Sequence, residues 1–285
     1  MEAQALEPRK TSDTLLIELW LSTKTSSHTR RAYAAEIARF LAFAPKPLAV
    51  ITLADLQAWA ERLRARGLKP TSRNRALTAV KSLLSFGQES GYLSYNAGTA
   101  LKLHPDRDAL AERILAEEEV ARLIAAVPEG RDRVLLKLLY AAGLRVSEAC
   151  GLEWRHAAPR KEGGQITVFG KGGKTRSVLL RPGVWEALVS IRGNAEAGDP
   201  IFRSRRGGPL DVSQVRRIVY AAARKASLEQ RVSPHWMRHA HASHALDHNA
   251  PLHLVQTTLG HASIATTGRY LHARPTESSG FYLPE

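Results

Sequence analysis

The stretch HWMRHAHASH, residues 235–244, places four histidines and one arginine within ten positions. Such side chains suit two kinds of chemistry, because neutral imidazoles ligate metal ions and cationic N–H donors bind phosphate. The preceding residues predict a helix start, with Ser233 as N-cap and Pro234 at the first helical position. A helix would place His235 and Arg238 one turn apart on one face, beside the positive end where anions bind.

A metal site is the less favoured interpretation of this helix. His244 and His248 are i,i+4 neighbours, but zinc needs a third ligand and the HExxH motif is absent. Cys150 is the single cysteine, which excludes a cysteine-based zinc cluster and an internal disulfide. We therefore predict no metal and no cofactor. His239, His241 and His248 are expected to face solvent or to pack.

Five side chains elsewhere in the chain could complete a phosphate site. Arg145 follows a helix-ending glycine, and Glu148, three residues on, could hold its guanidinium in place. Lys171 lies in GKGGK, the predicted tip of a β-hairpin, from which an ammonium could reach a substrate. His261 and Tyr270 both lie in LGHASIATTGRYLHA. Each signal is weak by itself, because such residues also serve as caps, surface charges or core.

Taken together and in order, four segments resemble those of the tyrosine recombinase family, also called the phage integrase family, and most closely its short Xer-like members. The segments are GLRVSEACGLEW, GKGGKTRSVLL, SPHWMRHAHASHAL and LGHASIATTGRYLHA. The resemblance covers nearly the whole chain; it is strongest over 133–272 and only architectural over 12–103. It implies a site-specific DNA recombinase that works through a 3′-phosphotyrosine intermediate and a Holliday junction.

The resemblance also implies a role for each residue by its position. Two arginines bind the non-bridging oxygens of the scissile phosphate, two histidines bond the phosphate and assist proton transfer, and a lysine protonates the leaving 5′-hydroxyl. Tyr270 is the implied nucleophile, and Glu148 is the acid that supports the first arginine. The arginines are Arg145 and Arg238, the histidines are His235 and His261, and the lysine is Lys171. The chemistry needs these types because the transition state gains negative charge that fixed guanidiniums stabilise.

Two domains are predicted to position these residues. Residues 1–105 show helical periodicity without a strand signal, which indicates a helical module; the resemblance makes it a core-binding (SAM-like) DNA-binding domain. Residues 106–285 combine helices with a small β-sheet and would form the catalytic domain with a short C-terminal tail. The predicted fold class is therefore mainly α with a small β-sheet. The resemblance implies that the two domains form a C-shaped clamp on DNA.

The chain is strongly basic. Its 41 Lys and Arg against 27 Asp and Glu give a formal net charge of +14 over 285 residues, which predicts attraction to polyanions, with nucleic acid ahead of membrane. Residues 62–81 contain no acid and could grip the DNA backbone, with a merely solvated face as the alternative. The basic residues of this run are Arg62, Arg64, Arg66, Lys69, Arg73, Arg75 and Lys81.

The expected location is the cytoplasm, in association with the nucleoid. The longest apolar run, 134–144, contains Lys137 and is too short to span a bilayer, and MEAQALEPRK is not a signal peptide. No membrane partner is expected. The resemblance implies double-stranded DNA with inverted half-sites as partner, and a homotetramer on two such sites. Whether a second recombinase or an accessory protein takes part stays open.

Two other functions stay open at this point. A type IB topoisomerase uses the same chemistry but rejoins the same strand, and the match to Xer-like members favours recombination over it. A non-catalytic DNA-binding or architectural protein would need neither Lys171 nor Tyr270, so the complete set of positions argues against it. The tail SSGFYLPE, residues 278–285, is expected to dock on an adjacent protomer, with a frayed end as the alternative.

Overall fold

Helices make up most of the computed structural model, which describes residues 12–103, 110–170 and 173–271. They separate into two compact units, Met1–Arg107 and Asp108–Glu285, called the first and the second unit below. The prediction of a mainly helical fold with a small sheet is confirmed. Within the described part of the chain, no helix is both long enough and apolar enough to cross a membrane.

The first unit is helical throughout its described residues. Its helices are α1 (Asp13–Ser22), α2 (Ser27–Phe43), α3 (Leu53–Ala65) and α4 (Pro70–Glu89). Local chemistry sets two of the starts: Thr52 and Asp55 form a capping box before α3, and Pro70 occupies the first turn of α4, where its missing N–H leaves no bond unmade. The helices enclose a core in which Trp20 and Phe40 are fully buried.

The second unit holds the remaining elements. Its helices are α5 (Glu117–Ala125), α6 (Arg131–Ala141), α7 (Val146–Cys150), α8 (Pro182–Ser190), α9 (Val212–Lys225), α10 (Pro234–Asp247), α11 (Leu252–Leu259) and α12 (Ile264–Gly268). Its strands are β1 (Ala157–Pro159), β2 (Gly164–Phe169) and β3 (Thr175–Leu180), paired antiparallel in the order β1-β2-β3. Gly164 pairs with Leu180 and Phe169 with Thr175, so β2 and β3 form the predicted hairpin. Lys171 and the tail at 278–285 lie outside the described residues.

Helix α10 is the central helix of the second unit. It begins at Pro234 with Ser233 as N-cap, as predicted, although the Ser233 side chain makes no capping bond. Its buried residues include Met237, Ala242 and Ser243, which lie on different faces. A helix that is buried around most of its circumference holds its side chains in fixed directions. Most of the histidine stretch therefore lies in the interior, while His235, at the start of the helix, stays exposed.

Candidate active site

Five of the six predicted catalytic side chains line one cavity of about 320 Å³ in the second unit. They are Arg145, His235, Arg238, His261 and Tyr270. Arg113, His239 and Arg269 also line it, so four arginines surround the space, which we call the arginine cavity. Such a concentration of fixed positive charge favours an anion inside it. Lys171, the sixth side chain, is not among the described residues, although the strands on either side of its loop are.

Arg145 is held at the start of α7 by two acceptors. Its Nη1 donates to Oε1 of Glu148 at 2.8 Å, and its Nη2 donates to the carbonyl of Gly260 at 3.2 Å. The backbone N–H of Arg145 donates to the other oxygen of Glu148 at 2.7 Å, so the turn and the ion pair form one unit. The side chain remains 32% exposed and can therefore still receive a ligand.

Glu148 is a buried carboxylate between two arginines. Arg176, on β3, donates to both of its oxygens, from Nη1 at 2.9 Å and from Nη2 at 2.8 Å, and donates from Nε to the Thr258 carbonyl at 2.7 Å. Burial alone would raise the pKa of Glu148, but the hydrogen bonds and charges of Arg176 and Arg145 outweigh it and hold that pKa below its usual value. Arg176 was not among the predicted site residues, because nothing in TRSVLL indicates a distant carboxylate.

Arg238 is aimed by backbone carbonyls. Its side chain is 4% exposed overall, and its two terminal nitrogens donate to the carbonyls of Gly143 and Leu259, both at 2.6 Å. Burial first, and the charge of Arg145 next, lower its pKa to about 10, so the guanidinium stays charged at neutral pH. Gly143 has a φ of 56°, and a Cβ there would lie 2.6 Å from the Leu259 side chain. Only glycine can present its carbonyl to Arg238 in this way.

Tyr270 lies in the turn after α12 and is 6% exposed. Its hydroxyl is 2.7 Å from Nδ1 of His239, and its ring is parallel to that of His261, within 5° at 6.5 Å between centroids. Burial raises the pKa of Tyr270, and the positive charges of neighbouring arginines offset this only in part. The phenol is therefore protonated at neutral pH and must lose its proton to act as a nucleophile.

The histidines of the arginine cavity are neutral at pH 7. Burial is the main cause in each, followed by nearby positive groups; together they lower the pKa of His239 and of His261 to about 4 and lower that of His235 as well. Nδ1 of His261 shares a 2.9 Å hydrogen bond with the hydroxyl of Thr267, which is fully buried. A neutral imidazole both donates and accepts one hydrogen bond. These rings can therefore bond a phosphate oxygen or accept a proton.

Two other histidines of α10 have structural partners. Nδ1 of His241 lies 2.7 Å from the carbonyl of Tyr140. His244 bridges the Tyr140 hydroxyl and the Leu115 carbonyl, each at 2.9 Å. Both rings thus tie α10 to the elements packed around it.

The prediction that His239, His241 and His248 face solvent or pack holds for two of the three. His248 is exposed and pairs with Glu117 at 2.6 Å, and His241 packs, as expected for both. His239 differs, because it lies against the hydroxyl of Tyr270. His244 and His248 have separate partners, and the described residues contain no group of three His, Cys, Asp or Glu side chains that could hold a metal ion.

The basic run of the first unit spans the last turn of α3, the following turn and the first half of α4. Its exposed members are Arg62, Arg64, Arg66, Lys69 and Arg75, and its half-buried members are Arg73 and Lys81. Arg75 pairs with the buried Glu36 at 3.2 Å. The Lys81 ammonium donates to the Leu101 carbonyl and so already serves the fold. The exposed members are those best placed to meet a polyanion.

Comparison with known proteins gives matches over both units. The model of the phage integrase family matches residues 113–277, and that of the phage integrase N-terminal SAM-like domain matches residues 13–90. A tyrosine recombinase XerC from Rhodospirillum centenum is 35% identical over 274 residues, which cover 88% of this chain and 80% of the relative.

Two solved structures share the fold. One is the XerH site-specific recombinase bound to palindromic difH substrate in a post-cleavage complex, with a TM-score of 0.71 and 23% identity over 92% of this chain and 81% of that one. The other is a lambda integrase tetramer bound to a Holliday junction, with a TM-score of 0.71 and 19% identity over 88% of this chain and 78% of that one.

Proposed function

The chain belongs to the phage integrase family of tyrosine recombinases, and we propose that the arginine cavity is where it cuts and rejoins DNA. Its activity is site-specific recombination by a tyrosine mechanism. In the proposed reaction, the Tyr270 hydroxyl attacks a backbone phosphate, forms a 3′-phosphotyrosine and releases a 5′-hydroxyl. A 5′-hydroxyl of a second site then attacks the phosphotyrosine. The phosphodiester energy is kept in the intermediate, so the reaction needs no nucleoside triphosphate.

One observation carries this proposal: a tyrosine hydroxyl and two rigidly held guanidiniums line the same cavity. Arg145 and Arg238 would bind the non-bridging oxygens of the scissile phosphate. Their positions are set by Glu148 and by backbone carbonyls before any substrate arrives. Preorganised donors of this kind stabilise a charged transition state without further rearrangement, and the loss of one typically slows catalysis by about 10²–10³-fold.

The proton transfers are assigned to the remaining site residues. His235 and His261 would bond the phosphate and assist proton transfer. Lys171 would protonate the leaving 5′-oxygen, since a DNA alkoxide is too basic to leave without an acid. The assignment of Lys171 rests on its motif and on the hairpin that carries it. Glu148 would support Arg145 through the ion pair described above.

We assign DNA binding to both units. Residues 1–105 would form the DNA-binding domain and residues 106–285 the catalytic domain. The exposed members of the basic run would meet the DNA backbone. The substrate would be double-stranded DNA in which each recombination site consists of two inverted half-sites. A homotetramer would bind two such recombination sites and exchange their strands. The reaction would take place in the cytoplasm, at the nucleoid. The XerH complex with its difH substrate and the lambda integrase tetramer on a Holliday junction support this assembly.

Covalent trapping tests the proposed function. Duplexes from the DNA that flanks the gene are nicked a few nucleotides 3′ of each candidate cleavage position. Cleavage then releases a short fragment with a 5′-hydroxyl, which diffuses away and cannot rejoin. The duplexes are incubated with the enzyme and a metal chelator, then denatured. The wild type should give a protein band that carries covalently bound DNA, and Tyr270→Phe should not. The control is Tyr95→Phe, which replaces an exposed tyrosine of the first unit and should give the same band as the wild type. DNA binding without an adduct for the wild type would contradict the proposal.

A further inference from the structure

His239 touches the oxygen that the proposed reaction makes nucleophilic. Its Nδ1 lies 2.7 Å from the Tyr270 hydroxyl, and the two rings are 5.8 Å apart and tilted by 44°. None of the roles assigned above uses this histidine. The sequence also gives no reason to select it among its neighbours, since its partner lies 31 positions away.

We propose that His239 positions the Tyr270 phenol and receives its proton during attack, an inference that rests on the proposed function. The bond between Tyr270 Oη and phosphorus forms as the bond from phosphorus to the 5′-oxygen breaks. The phenol proton passes to Nδ1 of His239, and Lys171 supplies a proton to the leaving oxygen. In rejoining, His239 returns the proton to the departing Tyr270 oxygen, and Lys171 takes the proton of the attacking hydroxyl.

Both partners are held so that the contact persists. His239 directly follows Arg238, whose guanidinium is fixed by two carbonyls within the central helix α10. The Tyr270 ring packs in an apolar cluster with Ala242 and Leu259. A distance of 2.7 Å between two such fixed groups lies within the range for direct proton transfer. Preorganisation of this kind removes the cost of orienting the nucleophile at each turnover.

The charge state of His239 fits an acceptor. Burial, followed by nearby positive groups, keeps its imidazole neutral at pH 7, so a nitrogen lone pair is present for the phenol proton. A DNA phosphate would bring negative charge into the same cavity, and negative charge stabilises the protonated ring. The titratable and charged groups that face His239 are His235 and Arg238 on its own helix, Arg113 before α5, and Arg269 and Tyr270 after α12.

The other cavity histidines are less suited to this task. Nδ1 of His261 already bonds the Thr267 hydroxyl, and its ring is parallel to that of Tyr270 with 6.5 Å between the centroids. The ring of His235 lies 6.3 Å from that of His239, between centroids. Both are therefore better placed for the phosphate than for the phenol.

Single-turnover cleavage of two nicked duplexes tests the inference, one with an ordinary ester and one with sulfur in place of the bridging 5′-oxygen. A thiolate leaves without a proton, so the sulfur duplex should rescue Lys171→Met. It should not rescue His239→Phe, which we expect to be slowed about 10²–10³-fold on both duplexes. His239→Asn places an amide near the position of Nδ1 and should retain more activity than His239→Gln. The control is His248→Phe, which replaces the exposed histidine directly after α10.

Chemical rescue separates a proton acceptor from a merely structural residue. We expect added imidazole to raise cleavage by His239→Ala at least tenfold, and not cleavage by Tyr270→Phe. His239→Ala should still unfold in a single cooperative transition and should bind DNA as the wild type does. Wild-type-like cleavage by His239→Phe, or its rescue by the sulfur duplex, would overturn the inference. Absence of any adduct in the wild type would instead overturn the proposed function.

Discussion

Glu148 shows how one buried side chain holds two parts of the site. Its carboxylate is 3% exposed and pairs with both Arg145 and Arg176. Removal of one member of such a group leaves buried charges uncompensated, at a cost of about 3–5 kcal/mol. We expect Glu148→Ala to lower the free energy of unfolding by that amount in urea titrations. Glu117→Ala, which removes an exposed pair, should cost only about 0–1 kcal/mol; equal losses in the two variants would contradict the account.

The same carboxylate makes stability depend on pH. Its pKa is lowered in the folded protein, so its contribution is full above the ordinary glutamate value of about 4.3 and is lost as pH falls through the lower folded value. Buried histidines act in the same sense at higher pH, because unfolding lets them take up protons near pH 6.5. These are His239, His241 and His261, each with a pKa lowered to about 4.

We therefore expect the free energy of unfolding to decline as pH falls from 7, through the histidines between about pH 6.5 and 4 and through Glu148 below about pH 4.3. In Glu148→Gln the free energy of unfolding should no longer fall at the most acidic pH values, since an amide does not titrate. Urea unfolding at a series of pH values measures both curves. A stability of the wild type that rises on acidification over this range would show that the signs of these shifts are wrong.

Apart from the positions that the family motifs imply, the residues that could be predicted are those whose partners are near in sequence. Arg145 and Glu148 are three positions apart, and the carboxylate bonds the guanidinium as the spacing indicates. Arg176 and His239 could not be predicted from the residues around them, since their partners lie 28 and 31 positions away. Only folding brings such pairs together, and no sequence pattern near either residue indicates its partner.

At the scale of elements, Arg176 joins the β2–β3 hairpin to the rest of the site. It bonds the buried Glu148 and the Thr258 carbonyl near the end of α11. We expect Arg176→Met to slow single-turnover cleavage by about 10²-fold, because the hairpin that carries Lys171 would lose its anchor. Arg176→Lys should restore little, since an ammonium cannot bond both carboxylate oxygens in a fixed plane. The control is Arg160→Met, which replaces an exposed arginine that directly follows β1 and bonds Gln165.

A fully active Arg176→Lys would contradict this role for the guanidinium. An equal loss in Arg160→Met would instead indicate a general weakening of the sheet. Both outcomes can be read from the same cleavage series at saturating DNA.

Elements were predictable where local chemistry marks them. The capping box of Thr52 and Asp55 and the glycine-rich loop between β2 and β3 each act within a few residues. Strand β1 was missed because Ala-Ala-Pro has no strand signal of its own and pairs only once β2 is present. The burial of α10 around most of its circumference could not be predicted either, because four histidines in ten residues break the apolar pattern that normally indicates an interior helix.

At the scale of the whole molecule, the net charge of +14 predicts DNA binding that weakens steeply with salt. We expect the double variant Arg66→Ala, Lys69→Ala to bind more weakly to all sequences, with a salt slope smaller by about one for each phosphate that it leaves without a cationic partner. Lys81→Met is the matched control, because that ammonium already donates to the Leu101 carbonyl. The dissociation constants of the wild type and of both variants, measured at several salt concentrations, give the slopes to compare. An unchanged slope in the double variant would remove the basic run from the interface.

The proposed mechanism requires that Tyr270 becomes joined to a 3′-phosphate. The most direct measurement digests the trapped complex with trypsin and locates the nucleotide by mass spectrometry. Cleavage after Arg269 gives a peptide that begins at Tyr270 and also contains Tyr282, so fragmentation must distinguish the two. We expect the nucleotide on Tyr270, and a released DNA end that a kinase labels without prior phosphatase treatment. A nucleotide on any other residue, or a released end that carries a 5′-phosphate, would contradict the mechanism.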